Sequence, residues 1–199
     1  MVKKILLHGC CGPCATYTVR RLREEGFEVA AFWYNPNVHP FTEHRNRLEA
    51  MQKVADAMDL PLVVAEGYDI IAYFRAVVGH EADRCGACFS MRLSRTAAEA
   101  KARSIPYFTT TLLISPYQKH DLLHHIGEEV GSEHHVEFYY EDFRPGFRES
   151  HSLSKELDLY HQKYCGCIYS EWERFGKVQI EEVAEKGVVG LPQRRHTVM

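Results

Sequence analysis

Seven cysteines in 199 residues fall into three short groups: Cys10-Cys11-Gly12-Pro13-Cys14, Cys85-Gly86-Ala87-Cys88 and Cys165-Gly166-Cys167. Read alone, Cys11-Gly12-Pro13-Cys14 matches the dithiol of a thioredoxin-type exchanger. Such an exchanger needs only those two thiols and leaves the other five idle. Two cysteine pairs from separate segments supply four thiolates, the number that holds a [4Fe-4S] cluster or a structural zinc. A chain with this much apolar sequence needs no zinc staple, which favours a reactive centre. Cys165 and Cys167 suggest a second role. They could close a strained, easily reduced disulfide that passes electrons, or bind a second metal with Cys14 or a carboxylate such as Asp142.

The elements that must position these groups are legible in the hydrophobic pattern. Apolar runs at "KILLH", "EVAAFWY", "LPLVVA", "PYFTTTLL" and "VEFYY" alternate with amphipathic stretches, which predicts βαβ units and a parallel α/β sheet. Helices are expected over Ala15 to Glu25, Thr42 to Met58, Asp69 to Val78 and onward from Cys88. A further helix opens at Ser115-Pro116-Tyr117-Gln118 and ends near Gly131. Beyond "VEFYY" the strand signal stops. The expectation is a single domain over 1–199, with a Rossmann-like core at 1–145 and a helical C-terminal extension at 146–199. In such sheets ligands bind beyond the C-terminal strand ends, and a helix N-terminus there stabilises a thiolate. Cys10, Cys11, Cys85 and Cys88 all precede or open predicted helices. Gly9, Gly12 and Gly86 suit backbone that must pass close to a cluster.

Composition narrows the function classes. No apolar run approaches the ~20 residues of a membrane span, and "ILL" is too short for a signal peptide's apolar region, so a cytoplasmic protein is expected. In a reducing compartment seven cysteines indicate metal or redox chemistry rather than a disulfide framework. A net charge of −3 argues against coating nucleic acid non-specifically and leaves room for local basic patches: Arg20 to Arg23, Asp142 to Arg148, and "QRRH" near the C-terminus.

Several further residues are candidates. His8, beside the first cysteines, is a candidate proton donor, or else a hydrogen-bonded structural residue. Arg84, Arg144 and Arg148 are candidate phosphate contacts. Phe32 to Tyr34 and Phe138 to Tyr140 could stack an unpaired base, although predicted strands usually bury such residues. His120 and His124, four apart on a helix, lack a third ligand.

Taken in order, "HGCCGPC", "NPNVHP", "RCGACFSMRL", "TTLLISPYQK", "DFRPGF" and "CGCIYS" resemble the cobalamin-independent epoxyqueuosine reductases, the QueH family. The resemblance implies a fold of the PP-loop or adenine-nucleotide alpha-hydrolase (HUP) type. It implies an iron-sulfur enzyme that reduces epoxyqueuosine to queuosine at the wobble position of a tRNA anticodon loop, the last step of queuosine synthesis. By the same resemblance Cys10, Cys11, Cys85 and Cys88 are [4Fe-4S] ligands, Cys165 and Cys167 are a redox-active pair, and an unidentified electron donor is required. The alternatives are an ATP-dependent tRNA thiolase or adenylating enzyme of the PP-loop type, and a non-catalytic zinc-binding RNA module. The first needs a glycine-rich phosphate cradle where this chain has cysteines.

Overall fold

The computed structural model describes residues 2–185, with side chains through residue 176. Five strands, β1 (Lys3–His8), β2 (Phe27–Trp33), β3 (Leu62–Val64), β4 (Tyr107–Thr110) and β5 (Glu137–Phe138), form one parallel sheet in the order β3-β2-β1-β4-β5. Central β1 shows why: Ile5, Leu6 and Leu7 are all fully buried, as an unbroken apolar run must be when both faces of the sheet are covered. The α/β Rossmann-like expectation is met.

The covering helices are α1 (Gly12–Glu24), α2 (Phe41–Ala57), α3 (Ile70–Val77), α4 (Arg84–Ala102) and α5 (His120–His134). Helix α1 packs on α2, and α4 on α3 and α5. Right-handed crossovers place these two groups on opposite faces. After β5 the chain turns into α6 (Phe147–Glu156), which packs back on α1, and then α7 (Ile168–Glu185).

Two helix starts differ from the sequence reading. Helix α4 begins at Arg84 rather than after Cys88, so Cys85 lies in its first turn despite the helix-weakening Gly86. Helix α5 begins at His120. Ser115 instead anchors a turn, its hydroxyl accepting from the Tyr117 amide at 3.3 Å and its carbonyl taking the His120 ring at 2.9 Å. Gly12 is required for close helix packing: a Cβ there would lie 2.5 Å from the Ala50 carbonyl oxygen of α2, whereas one at Gly86 would meet nothing within 4 Å. Among the described residues no helix is long and apolar enough to cross a membrane.

Candidate metal centre and its cavity

The first cysteine group sits where β1 hands over to α1. Cys11 is the extended N-cap residue of α1, Pro13 pre-sets its first turn, and no acidic residue occupies that turn. The exposed N–H dipoles therefore meet sulfur and no competing carboxylate. The sulfurs of Cys10, Cys11 and Cys14 all lie within 4.8 Å of one another and are buried. The Thr111 hydroxyl, at the end of β4, accepts from the Cys10 amide at 3.0 Å and donates to the Cys10 sulfur at 3.1 Å. Gln162 donates to the Cys11 sulfur at 3.0 Å.

These thiols share protons. Hydrogen bonds from Cys11 and Cys14 hold the Cys10 thiol well below its usual range, helped by the charge of Arg92 and by Thr111. The same bond pushes Cys11 up to about 12, and Cys14 also rises. A metal ion binding here would displace the protons that these thiols hold. Three clustered sulfur donors at a positive helix end fit a thiophilic metal centre.

The second and third groups face the same space. Cys10, Cys14, Cys85, Cys88, Cys165 and Cys167 all line one cavity of about 960 Å³ at the C-terminal strand ends, so six of the seven cysteines meet there. Cys88 is pushed up to about 12 by burial, and burial also raises Cys85. Cys165 opens into the cavity, yet the protein around its thiol raises it too. Cys167 behaves oppositely: burial opposes ionisation, but hydrogen bonding from Ser170, whose amide lies 3.4 Å from the sulfur, pulls the thiol down. Tyr73, Cys88 and Cys167 form a small buried cluster, and the Tyr73 hydroxyl has no hydrogen-bond partner among the described residues.

Arginines tie the groups together. Arg92 on α4 donates to Asn35 Oδ1 at 2.8 Å and lies 3.8 Å from the Cys88 sulfur. Asn35 in turn donates to the Gly9 carbonyl at 2.9 Å. Arg47 on α2 is buried, paired with Glu43 at 2.7 Å, and donates to the carbonyls of Tyr164 and Cys165 at 2.9 Å each. Gly166 has φ +136°, and a Cβ there would lie 3.0 Å from Val38, so only glycine lets the loop settle. Its carbonyl accepts from the His39 amide at 2.8 Å. The "NPNVHP" segment is thus the bed on which the Cys165–Cys167 loop rests.

The remaining sequence candidates divide. Arg84 lines the cavity and pairs with Glu173 at 2.6 Å. His8 is fully buried, its Nδ1 2.9 Å from the Thr110 hydroxyl and its Nε2 3.2 Å from the Tyr34 carbonyl oxygen. Burial, with Arg92 close by, drops its pKa to about 3, so it is a neutral ring beneath the site and does not line the cavity. Asp142 grips Arg144 with both carboxylate oxygens at 2.7 Å. Neither residue lines the cavity, nor does exposed Arg148, so Asp142 is not brought to the cysteines.

Phe32 and Trp33 are core. Phe138 packs on Phe108, and Tyr140 stacks on His124 with centroids 3.9 Å apart. Arg20 and Arg21 are ion-paired with Glu149 and Glu141. "QRRH" lies outside the described residues. Sequence reading missed Arg92, Arg47, Gln162 and Tyr73. Of these only Arg92, four residues after Cys88 on one helix face, carried a local signal.

Comparison with known proteins places this geometry. The family model described as "Epoxyqueuosine reductase QueH" matches residues 5–173, a span that runs from before Cys10 to beyond Cys167. A relative from Dehalococcoides mccartyi named epoxyqueuosine reductase QueH is 46% identical over 177 residues, covering 89% of this chain and 97% of the relative. One of the same name from Thermotoga maritima is 37% identical over 179 residues, covering 85% and 91%. Among solved structures, a "predicted subunit of tRNA methyltransferase" from Methanocaldococcus jannaschii aligns with a TM-score of 0.55 at 12% identity, over 77% of this chain and 76% of that one, a likeness of fold alone. A family match over most of the chain, enclosing every cysteine of the cavity, shows that the chain belongs to the epoxyqueuosine reductase QueH family.

Proposed function

We propose that the chain acts as one cytoplasmic reductase domain, the core at 1–145 and the extension at 146–199 together, on epoxyqueuosine in a tRNA anticodon loop. The reaction opens the epoxide, takes up two electrons and two protons, and releases water as the cyclopentene double bond forms. The observation that carries this reading is the convergence of six cysteines from three segments on one cavity large enough for a nucleoside.

Cys10, Cys11, Cys85 and Cys88 are the proposed [4Fe-4S] ligands, since they occupy two helix N-termini and all but Cys11 line one space. When bound, the cluster supplies electrons one at a time at low potential. The chain's own groups do the rest. Arg92 places positive charge beside Cys10 and Cys88. Gln162 and Gln118 orient thiols, Gln118 lying 3.6 Å from the Cys165 sulfur. Cys165 and Cys167, on a loop fixed by Arg47 and His39, relay electrons as a dithiol or, with Cys14, hold a second iron. Arg84 is the proposed substrate contact within the cavity. The electron donor is a separate protein or small reductant.

The test is anaerobic purification, assay of iron and acid-labile sulfide, and incubation with dithionite and tRNA bearing epoxyqueuosine. Queuosine should appear in the digested tRNA without added ATP, with four irons per chain for the disulfide arrangement and five for the second-iron arrangement. Zinc alone with no queuosine would leave the RNA-binding module, and an ATP requirement the thiolase.

A further inference from the structure

Four aromatic rings run along one wall of the cavity, and the cysteine chemistry does not use them. Tyr117, Phe147, His151 and His161 all line it. Neighbouring centroids lie 6.1, 4.8 and 5.5 Å apart in that order. The file is open at its start and more enclosed at its end: Tyr117 is 84% exposed, Phe147 half-buried, His151 exposed and His161 half-buried. It ends next to the active thiols, because Gln162, adjacent to His161, contacts the Cys11 sulfur. An exposed tyrosine at one end of such a file and a reaction centre at the other make a ramp.

Charge says what travels on it. The whole chain carries −3, yet the charged residues lining this cavity are five cations and one anion, Glu173. Arg47 and Arg84 are already paired with carboxylates. Lys119 and Lys163 are exposed and make no ion pair among the described residues; each is two residues along the chain from a ring of the file, Tyr117 or His161, and lines the same cavity. Aromatic faces interleaved with uncommitted cations, in an otherwise acidic protein, are the pairing that single-stranded nucleic acid requires.

We propose that this wall, entered at Tyr117, stacks the unpaired bases that flank the target nucleotide, while Lys119 and Lys163 contact their phosphates. The inference rests on the tRNA reading above and goes further by assigning the recognition to named residues. It would let a cavity in an acidic protein select a base in a loop over the free nucleoside, with the flanking bases, not the reacting one, on the ramp.

The test uses the metal-loaded protein and a fluorescent anticodon stem-loop RNA carrying epoxyqueuosine, titrated at several salt concentrations. Tyr117→Ala should bind about tenfold more weakly, within the range that stacking one base is worth, with an unchanged salt slope. Tyr117→Phe should bind as the wild type does, because the ring remains. Lys163→Gln should lower the log-log salt slope by about 0.7, the share of one phosphate on a single strand. Iron content equal to the wild type certifies that each variant is folded. Unchanged affinity in Tyr117→Ala, or equal losses in Tyr117→Ala and Tyr117→Phe, overturns the stacking wall while the tRNA reading stands. Wild-type protein that fails to bind the stem-loop overturns both.

Discussion

Arg47 on α2 donates to the carbonyl oxygen of Cys165, 118 residues further along the chain, at 2.9 Å. The guanidinium is almost wholly buried, closes on Glu43 of its own helix, and lies over the ring of Tyr164. One side chain therefore joins the first half of the sheet to the last cysteine pair.

Arg47→Ala should accordingly cost about 3–5 kcal/mol in urea unfolding, because it leaves the buried Glu43 charge with only the Tyr160 hydroxyl to satisfy it and two carbonyls without donors. Arg47→Ala combined with Glu43→Gln should recover part of the loss. A single-mutant cost under ~1 kcal/mol would show the pair to be dispensable.

Substitutions within the cysteine groups should separate iron from turnover. Cys88→Ser should lower bound iron and bleach the brown colour, since a hydroxyl is a poor substitute for a thiolate. Cys165→Ser should keep most of the iron and lose activity. Colorimetric iron assay beside single-turnover reduction reads both, and full iron in Cys88→Ser would remove that residue from the ligand set.

Tyr73→Phe should be at least as stable as the wild type and at least tenfold slower. A buried hydroxyl without a partner costs roughly 1–3 kcal/mol, so removing it relieves the fold. The group faces Cys88 and Cys167 at the cavity, and the loss of rate is expected if a bound substrate supplies the missing acceptor. Thermal melts and turnover measured together decide it. A variant that is both less stable and fully active would make the phenol a packing residue.

Acid should destabilise the metal-free protein through His39. Burial, with the neighbouring His44 opposing a second charge, brings His39 down to about 4 from its ordinary 6.5, and His44 is lowered as well by burial and Arg47. Between these values the unfolded chain binds the extra proton, so stability is complete above about pH 6.5 and is lost as the pH falls toward 4, by on the order of 3 kcal/mol for His39 alone. Urea midpoints measured from pH 7 to 4.5 check the sign, and His39→Gln should flatten the profile.

How much of this was legible beforehand follows from the range of each interaction. Strand and helix positions are local, and the alternating pattern located all five strands. The start of α5 escaped because Ser115-Pro116 satisfies the same local rules for a turn as for a helix cap, and only the contact to His120 distinguishes them. The cysteine groups announced themselves by spacing. Arg47, Gln162 and Tyr73 did not, since each reaches the site across more than 80 residues of sequence or from a segment with no motif of its own. Asp142 looked available as a ligand because nothing in "DFRPGF" reveals that Arg144, two residues on, grips both its oxygens.

The cavity is assembled from segments that leave the ribosome at very different times. Cys10, Cys11 and Cys14 emerge first and Cys85 and Cys88 next, while the loop bearing Gln162, Cys165 and Cys167 follows more than 70 residues later. Until that loop settles on Arg47 and His39, the space between the two helix N-termini is open on one side. If the cavity takes up a metal centre, chain synthesis itself would leave an interval for it to enter through an open face before the last cysteine pair shuts the door behind it.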